Sequence, residues 1–334
     1  MSSGTKIPEI GLLLYPGVRT AAVYGMVDLF EVASDIARRQ TGSAEAGIRV
    51  SQWKIVDGGA IDCVADTHRS AAHGPVAIVA LPGLGALPSH ETSIPFVQWL
   101  RQRHAEGATL CSVCAGAFVL AETGLLSGRP VTTHWSFAQA LSQRFPDIEV
   151  DTDKMIIDDG DIITAGGIMA WTDLGLKLVD RLLGPAVMLE TARFLLVDPP
   201  GREQRYYGNF SPNMRHGDEA VLKVQRWLQA LEGEEGDLQP VSLSSMAERA
   251  GLEERTFLRR FHKATGFKPT EYFQHIRVSK ARGLLELTNR NVDQVAWSVG
   301  YEDPAAFRKV FLKLMGLSPR DYRRRFAAGQ AMAA

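Results

Sequence analysis

Two sets of residues in this chain have types and spacings that could do chemistry. Arg255, Thr256, Arg259, Arg260 and Lys263 surround Phe257 and Phe261, and Arg308, Lys309 and Lys313 stand in the same relation to Phe307 and Phe311. A guanidinium fork fits guanine O6 and N7 or a phosphate, whereas an ammonium acts on phosphate as a point charge. The second set is Cys114, in the run Val113-Cys114-Ala115-Gly116, with His134 downstream. A thiol and an imidazole can pair as nucleophile and base whenever they come within hydrogen-bond reach, whatever their distance in sequence.

The elements that must position the cations are legible because the chain says the same thing twice. Phe257, Phe261, Gly266, Pro269 and Tyr272 recur 50 residues later as Phe307, Phe311, Gly316, Pro319 and Tyr322. Phenylalanines four apart share one helix face, so in each copy they turn inward and leave the cations outside. A short helix with small residues precedes each (Met246, Ala247 and Ala250; Val295 and Ala296), and Gly251 or Gly300 makes the turn. This is the helix-turn-helix pattern, doubled. Residues 270–287 are long enough for a rigid connecting helix, which would hold two recognition helices as far apart as successive major-groove faces, about 34 Å.

Charge agrees with that reading. Residues 241–326 hold 17 Lys and Arg against 9 Asp and Glu, a net of +8, so the formal total of −1 leaves −9 for the remainder. A basic module on an acidic body is the electrostatic footprint of nucleic-acid binding attached to a domain with another task.

At 334 residues the chain suits two domains, and 45% apolar with 22% charged residues is neither disordered nor membrane-like. The apolar run at 10–15 stops at Pro16-Gly17 without a basic leader, and the run at 110–126 is interrupted by polar residues. Neither a secretory signal nor a membrane span is therefore expected. Three cysteines, an odd number, make no disulfide framework, and the expected compartment is the reducing cytoplasm.

The cysteine needs a strand and a turn. Residues 5–200 alternate β-rich runs with helical patterns, as a doubly wound α/β domain does. Strands are expected at 10–15, 49–56, 60–65, 75–81 and 108–113, with helices at 21–39 and 95–106. The strand at 108–113 runs into Cys114-Ala115-Gly116 and a helix at 117–123, which is the geometry of a nucleophile elbow. A thiol at that helix N-terminus would be favoured as thiolate. A short strand at 130–134 delivers His134, a hairpin spans 155–165, and a helix at 170–183 closes the domain. Cys111 and Cys114 are spaced as CxxC, but they lie in a strand and a turn, and no second CxxC or paired His completes a site, so no metal is expected. Cys63 reads as core or surface.

The run GYEDPAAFRKVFLKLMGLSPRDYRRRF at 300–326, with its earlier copy, resembles the DNA-binding domain of AraC/XylS-type transcription regulators over about residues 218–326. Matched position by position, the resemblance places base-reading positions on Arg255 and Arg259 in the first copy and on Ala305, Ala306 and Lys309 in the second. Sequence discrimination is then expected mainly from the first copy, with Lys309 and Arg308 serving phosphates.

The Cys114-Ala115-Gly116 elbow, the run Val131-Thr132-Thr133-His134 and the strand end Ile163-Thr164-Ala165-Gly166-Gly167 resemble the DJ-1/PfpI branch of the class I glutamine amidotransferase-like fold. Both resemblances together are those of the GlxA subfamily of transcription regulators. They imply an effector-binding and dimerisation domain at 5–198, a linker at 199–217 and a DNA-binding domain at 218–326. Catalytic relatives place a carboxylate where this chain has Ala22, and a Gly-Gly loop where it has Gly83-Leu84, so a sensor is expected rather than an enzyme. Its pocket would be lined by Gly83, Leu84, Cys114, Ala115, His134, Trp135, Gly167 and Ile168, for a small, nitrogenous effector. A homodimer that binds double-stranded DNA and engages RNA polymerase as an activator, with no cofactor, is what the resemblance implies. The other reading is an active hydrolase or hydratase using Cys114, fused to a DNA-binding tail.

Overall fold

The computed structural model describes residues 7–68, 72–83, 85–210, 212–233 and 236–328. It divides into two compact units, Met1–Gln204 and Arg205–Ala334. Among the described residues no helix is long and apolar enough to cross a membrane.

In the first unit, β1 (Glu9–Leu13), β2 (Arg49–Ile55), β3 (Ile61–Asp66), β4 (Ala77–Ala80), β5 (Thr109–Val113), β8 (Ile156–Asp158) and β9 (Ile162–Ala165) form one sheet in the order β3-β2-β1-β4-β5-β9-β8. The five inner strands are parallel, and the two edge strands run antiparallel. β1 and β4 are buried at every position, as strands covered on both faces must be. Leu13, Ile78, Ala80, Leu110 and Ile162 pack into one core with Phe96, Leu100 and Phe118. Their buried neighbours Leu12, Val79, Cys111 and Ile163 alternate with them and so point to the other face.

Helices α1 (Thr20–Thr41), α5 (Trp171–Leu183) and α6 (Pro185–Leu195) pack on one another, while α2 (His90–Ala105) packs on α3 (Gly116–Ala121). The α1–α5 contact is close because a Cβ at Gly25 would lie 2.5 Å from the Trp171 ring. A second sheet of only β6 (Pro130–Val131) and β7 (Glu149–Val150), with α4 (Ala138–Arg144) between them, completes the unit.

Four expectations need correction. α2 begins at His90 rather than 95, because the Ser89 hydroxyl accepts the Thr92 N–H at 3.1 Å and caps it. The strand expected at 130–134 ends at Val131, so His134 sits on a loop. The helix at 171–183 does not close the unit. Gly184, at φ 89, turns the chain and Pro185 starts α6, the position where a missing N–H costs nothing.

The stretch 199–217 is not a free linker. Arg202 pairs with the buried Asp173, and Gln204 is buried in the first unit. Tyr207 and Phe210 pack within the second, on Phe326 at 5.5 Å and Tyr272 at 4.9 Å between ring centroids.

The second unit is all helical: α7 (Glu219–Gly233), α8 (Leu243–Ala250), α9 (Glu254–Thr265), α10 (Pro269–Leu287), α11 (Val292–Ser298), α12 (Pro304–Met315) and α13 (Pro319–Phe326). It has two cores. Phe257, Phe261 and Tyr272 pack with Met246, Ala247 and Val224, and Phe307, Phe311 and Tyr322 pack with Val295, Ala296 and Leu285. α10 contributes Phe273 and Ile276 to the first core and Val278, Ala281 and Leu285 to the second, which makes it the shared wall expected of the connecting helix.

Candidate functional site

In the second unit each copy of the repeat is a helix pair with a left-handed residue at the turn, Gly251 at φ 67 and Gly300 at φ 78. Gly266 and Gly316, at φ 77 and 70, stop α9 and α12 in the same way. With the phenylalanines fully buried, Arg255, Arg259 and Lys263 of α9 are exposed and Thr256 is half-buried. Arg255 and Arg259 lie one turn apart, and among the described residues neither has a hydrogen-bond or ion-pair partner. Two guanidiniums are thus presented side by side to whatever approaches this face.

Arg260 is placed differently. Its Nε and a terminal nitrogen donate to the two oxygens of Asp218 at 2.8 and 2.7 Å, which draws Asp218 below the ordinary carboxylate range. This residue ties α9 to the start of α7. On α12 Ala305, Arg308, Lys309 and Lys313 are exposed, with Ala306 half-buried. Arg308 is engaged with Asp293 at the start of α11. An exposed pair of this kind is worth at most about 1 kcal/mol, so a phosphate can displace it. Lys309 therefore stands as the unengaged cation nearest the start of α12.

In the first unit, β4, β5 and β9 are parallel neighbours, so their carboxyl ends deliver Gly83, Cys114 with Ala115, and Gly167 with Ile168 to one edge of the sheet. Leu84, the remaining expected lining residue, lies outside the described residues. Cys114 has φ 55, the left-handed turn that defines an elbow, and its N–H donates to Ala165 O at 2.8 Å. Gly116 must be glycine: a Cβ there would stand 2.0 Å from Ala80 O.

The loop carrying His134 is brought to this edge by two hydroxyls. Thr164 Oγ1 accepts the Thr132 N–H at 2.9 Å, and Thr133 Oγ1 donates to Cys114 O at 2.8 Å. Gln204, which sequence reasoning missed, then fastens the loop. Its amide donates to Thr133 O at 2.9 Å and Thr152 O at 3.1 Å, and its oxygen accepts the Trp135 N–H at 2.9 Å. A Cβ at Gly166 would meet this amide at 2.3 Å, so the neighbouring glycine makes room for it. A glutamine in a polar segment with Pro and Gly gave no signal of burial.

The expected thiolate is not what the elbow holds. Cys114 is fully buried, and burial pushes its thiol up to about 11, against a small opposing pull from the Ala115 N–H. α3 has only six residues, too short a dipole to reverse that. His134 is half-buried, and desolvation lowers its pKa, so the neutral ring is favoured. Its Nδ1 accepts the Ser136 N–H at 3.2 Å, and among the described residues no hydrogen bond joins it to Cys114. Trp135 and Phe137 flank the ring at centroid distances of 5.2 and 5.3 Å. Ala22, at the position where a carboxylate would assist, is buried on α1. The Tyr15 hydroxyl donates to Leu81 O at 2.6 Å, and burial together with the nearby Cys114 thiol keeps it a phenol.

A DJ-1-like α/β unit followed by a doubled helix-turn-helix unit defines a class of proteins that control transcription. Residues 28–181 match the model of the DJ-1/PfpI family, and residues 246–325 match that of a helix-turn-helix domain. The HTH-type transcriptional regulator CdhR of Pseudomonas aeruginosa is 31% identical over 250 residues, which covers 73% of this chain and 68% of that one. The HTH-type transcriptional regulator GlxA of Rhizobium meliloti is 31% identical over 232 residues, 68% of each chain. The chain belongs to this family of transcriptional regulators, with an AraC-type DNA-binding domain fused to a DJ-1/PfpI domain. The first unit is also similar to an isonitrile hydratase of Pseudomonas putida, 27% identical over 187 residues, 53% of this chain and 72% of that one.

Proposed function

We propose that this regulator reads DNA sequence chiefly through Arg255 and Arg259 and responds to a small, nitrogenous metabolite at the Cys114 edge of its first unit, without turning it over. The single observation that carries the reading is the pair of unengaged, exposed guanidiniums one turn apart on α9. A bidentate contact from either to guanine is worth about 1–3 kcal/mol of discrimination. Lys263, Arg308, Lys309 and Lys313 serve phosphates, and Arg260 holds α9 to the start of α7. Thr256, Ala305 and Ala306 complete the surface facing the bases.

At the elbow, a thiol held neutral beside a neutral imidazole, with Ala22 in place of a carboxylate, makes a poor nucleophile and a serviceable binding surface. Trp135 offers a face to a cationic amine, and the strand ends offer backbone donors to a carboxylate. Gln204 clamps the Thr133–Trp135 loop and immediately precedes the first residue of the second unit. A ligand that shifts this loop therefore shifts the segment leading to the DNA-binding helices. The protein acts as a cytoplasmic homodimer that recruits RNA polymerase and activates transcription, pairing half-sites as its symmetry requires.

The test uses full-length protein and the DNA upstream of its own neighbouring genes. Binding should weaken steeply with salt, and one amine or amino acid should change DNA affinity in wild type and not in Gln204→Ala. Turnover of any such compound with alkylatable Cys114 at neutral pH would favour the hydrolase or hydratase reading instead.

A further inference from the structure

Away from both sites, at the β3 edge of the sheet, three side chains of metal-ligating type converge. Cys63 of β3, Asp66 at its end and His73 in the segment leading to β4 each offer one ligand atom, and these atoms all lie within 4.8 Å of one another. We propose that Cys63, Asp66 and His73 bind a divalent transition metal of the zinc class, with solvent as the fourth ligand. The expectation of no metal had rested on Cys111 and Cys114, which are fully buried in β5 and in the turn after it.

The backbone explains why these residues meet. Residues three apart in a regular strand point to opposite faces, so Cys63 and Asp66 should diverge. The β2–β3 ladder pairs Gln52 with Ala65 but Trp53 with Cys63, leaving Val64 as an extra residue. That β-bulge puts Cys63 and Asp66 on one side.

The surrounding side chains are already arranged as the outer shell of such a site. Glu9, which is 1% exposed, accepts from Ser51 Oγ at 2.6 Å and from the Gly74 N–H at 2.8 Å, and lies 2.8 Å from His73 Nδ1. A carboxylate oxygen at that distance requires the proton on Nδ1. Arg49, 3.1 Å from the same nitrogen, then makes no hydrogen bond to it. Nε2 is left as a lone-pair donor, 3.8 Å from Asp66 Oδ2. This is the carboxylate–histidine–metal arrangement that fixes tautomer and ring direction. Trp53 holds the ring from its edge at 5.0 Å between centroids. Asp66 is oriented through Oδ1, which accepts from Arg49 Nε at 3.0 Å and the His68 N–H at 2.8 Å. Oδ2 is also touched by Arg49, and a bound ion would share that oxygen with it.

Charge supports a dication. Glu9 and Asp66 against Arg49 leave one negative charge in excess at a nearly buried site. A divalent ion that displaces the Cys63 proton to solvent, forming a sulfur–metal bond as the S–H bond breaks, brings three negative and three positive charges together. Thiolate, imidazole and carboxylate are the donor set of zinc, whose bonds of about 2.0–2.3 Å need only a modest contraction here. His73 is 31% exposed and provides the way in.

The experiment is a cobalt(II) titration of the metal-stripped full-length protein, followed by zinc competition. One equivalent should bind with a thiolate-to-cobalt charge-transfer band, zinc should abolish it, and Cys63→Ser should lack it. Asp66→Asn and His73→Gln should each weaken binding by about tenfold or more. The wild-type spectrum decides even where a variant misfolds: absence of the band overturns the proposal. Its persistence in Cys63→Ser, with the thermal melt unchanged, overturns it as well by moving the site to another thiol.

Discussion

The two helix-turn-helix copies share a scaffold and differ in what they put on it. Phe257 and Phe307, Phe261 and Phe311, Tyr272 and Tyr322 are all essentially inaccessible to solvent. On the outer faces the copies part. α9 follows Glu253, whose side chain makes no cap, and shows two unengaged arginines; α12 follows Asp303, which accepts two backbone N–H groups, and shows two alanines. The turns differ too: a Cβ at Gly251 would meet open space, whereas one at Gly300 would stand 2.7 Å from Leu238 O. The inner faces are held alike by packing, while the outer faces are free to divide labour between reading bases and gripping the backbone.

The largest test asks whether the scaffolds are equal. Phe257→Ala and Phe307→Ala should each cost about 3–5 kcal/mol in denaturant unfolding followed in the second unit. A difference beyond about 2 kcal/mol between them would mean that one copy stands without the other and that the repeat is not mechanically symmetric.

The division of labour is next. Arg259→Ala should cost about 1–3 kcal/mol of discrimination and relax the preferred sequence in selection from a randomised pool. Lys309→Ala should instead weaken all sequences alike and lower the salt slope by about 1. If the effects were exchanged, the second copy would be the reader.

The paired tyrosines sharpen the comparison. Tyr322 accepts from Arg282 Nε at 2.8 Å and donates to Glu286, whereas among the described residues the Tyr272 hydroxyl has only the Gln225 amide at 3.4 Å. Tyr322→Phe removes two hydrogen bonds to charged groups and should cost about 1.5–3 kcal/mol, against about 0.5 for Tyr272→Phe. Burial raises both phenols to about 12. The folded unit then keeps both protons while the unfolded chain ionises near 10, so stability is intact below about pH 10 and falls between 10 and 12. Either phenylalanine variant should flatten that alkaline fall.

How much of this was legible in the sequence follows from what kind of force fixes each feature. The repeat was readable because buried aromatics must recur at helical spacing, and the elbow because a strand, a tight turn and a helix leave Gly and Ala at fixed places. Ionisation was not: the Cys114 thiol is governed by burial on all sides, which a local pattern does not show. Gln204 and the ion pairs of Arg260 and Arg308 were missed for a related reason. Their partners, Thr133, Asp218 and Asp293, are 71, 42 and 15 residues away, and polar side chains carry no periodic mark of the contacts they make.

The smallest effect isolates how each recognition helix begins. Asp303 accepts the Ala305 and Ala306 N–H groups at 2.8 and 3.1 Å, so Asp303→Ala leaves two donors at the α12 N-terminus to water and should cost about 1 kcal/mol. Glu253 makes no such bond, and Glu253→Ala should be nearly neutral in stability. On DNA the order should reverse in kind. Removing Asp303 takes a negative charge from the end of α12 proposed to face the duplex, so the weakened helix should nevertheless bind phosphate more tightly and with a steeper salt slope. Thermal melts and salt-dependent binding of the same two variants check both halves. If Asp303→Ala lowers DNA affinity at every salt concentration, the cap is there to shape the binding surface, and α12 reads more of the duplex than its two alanines imply.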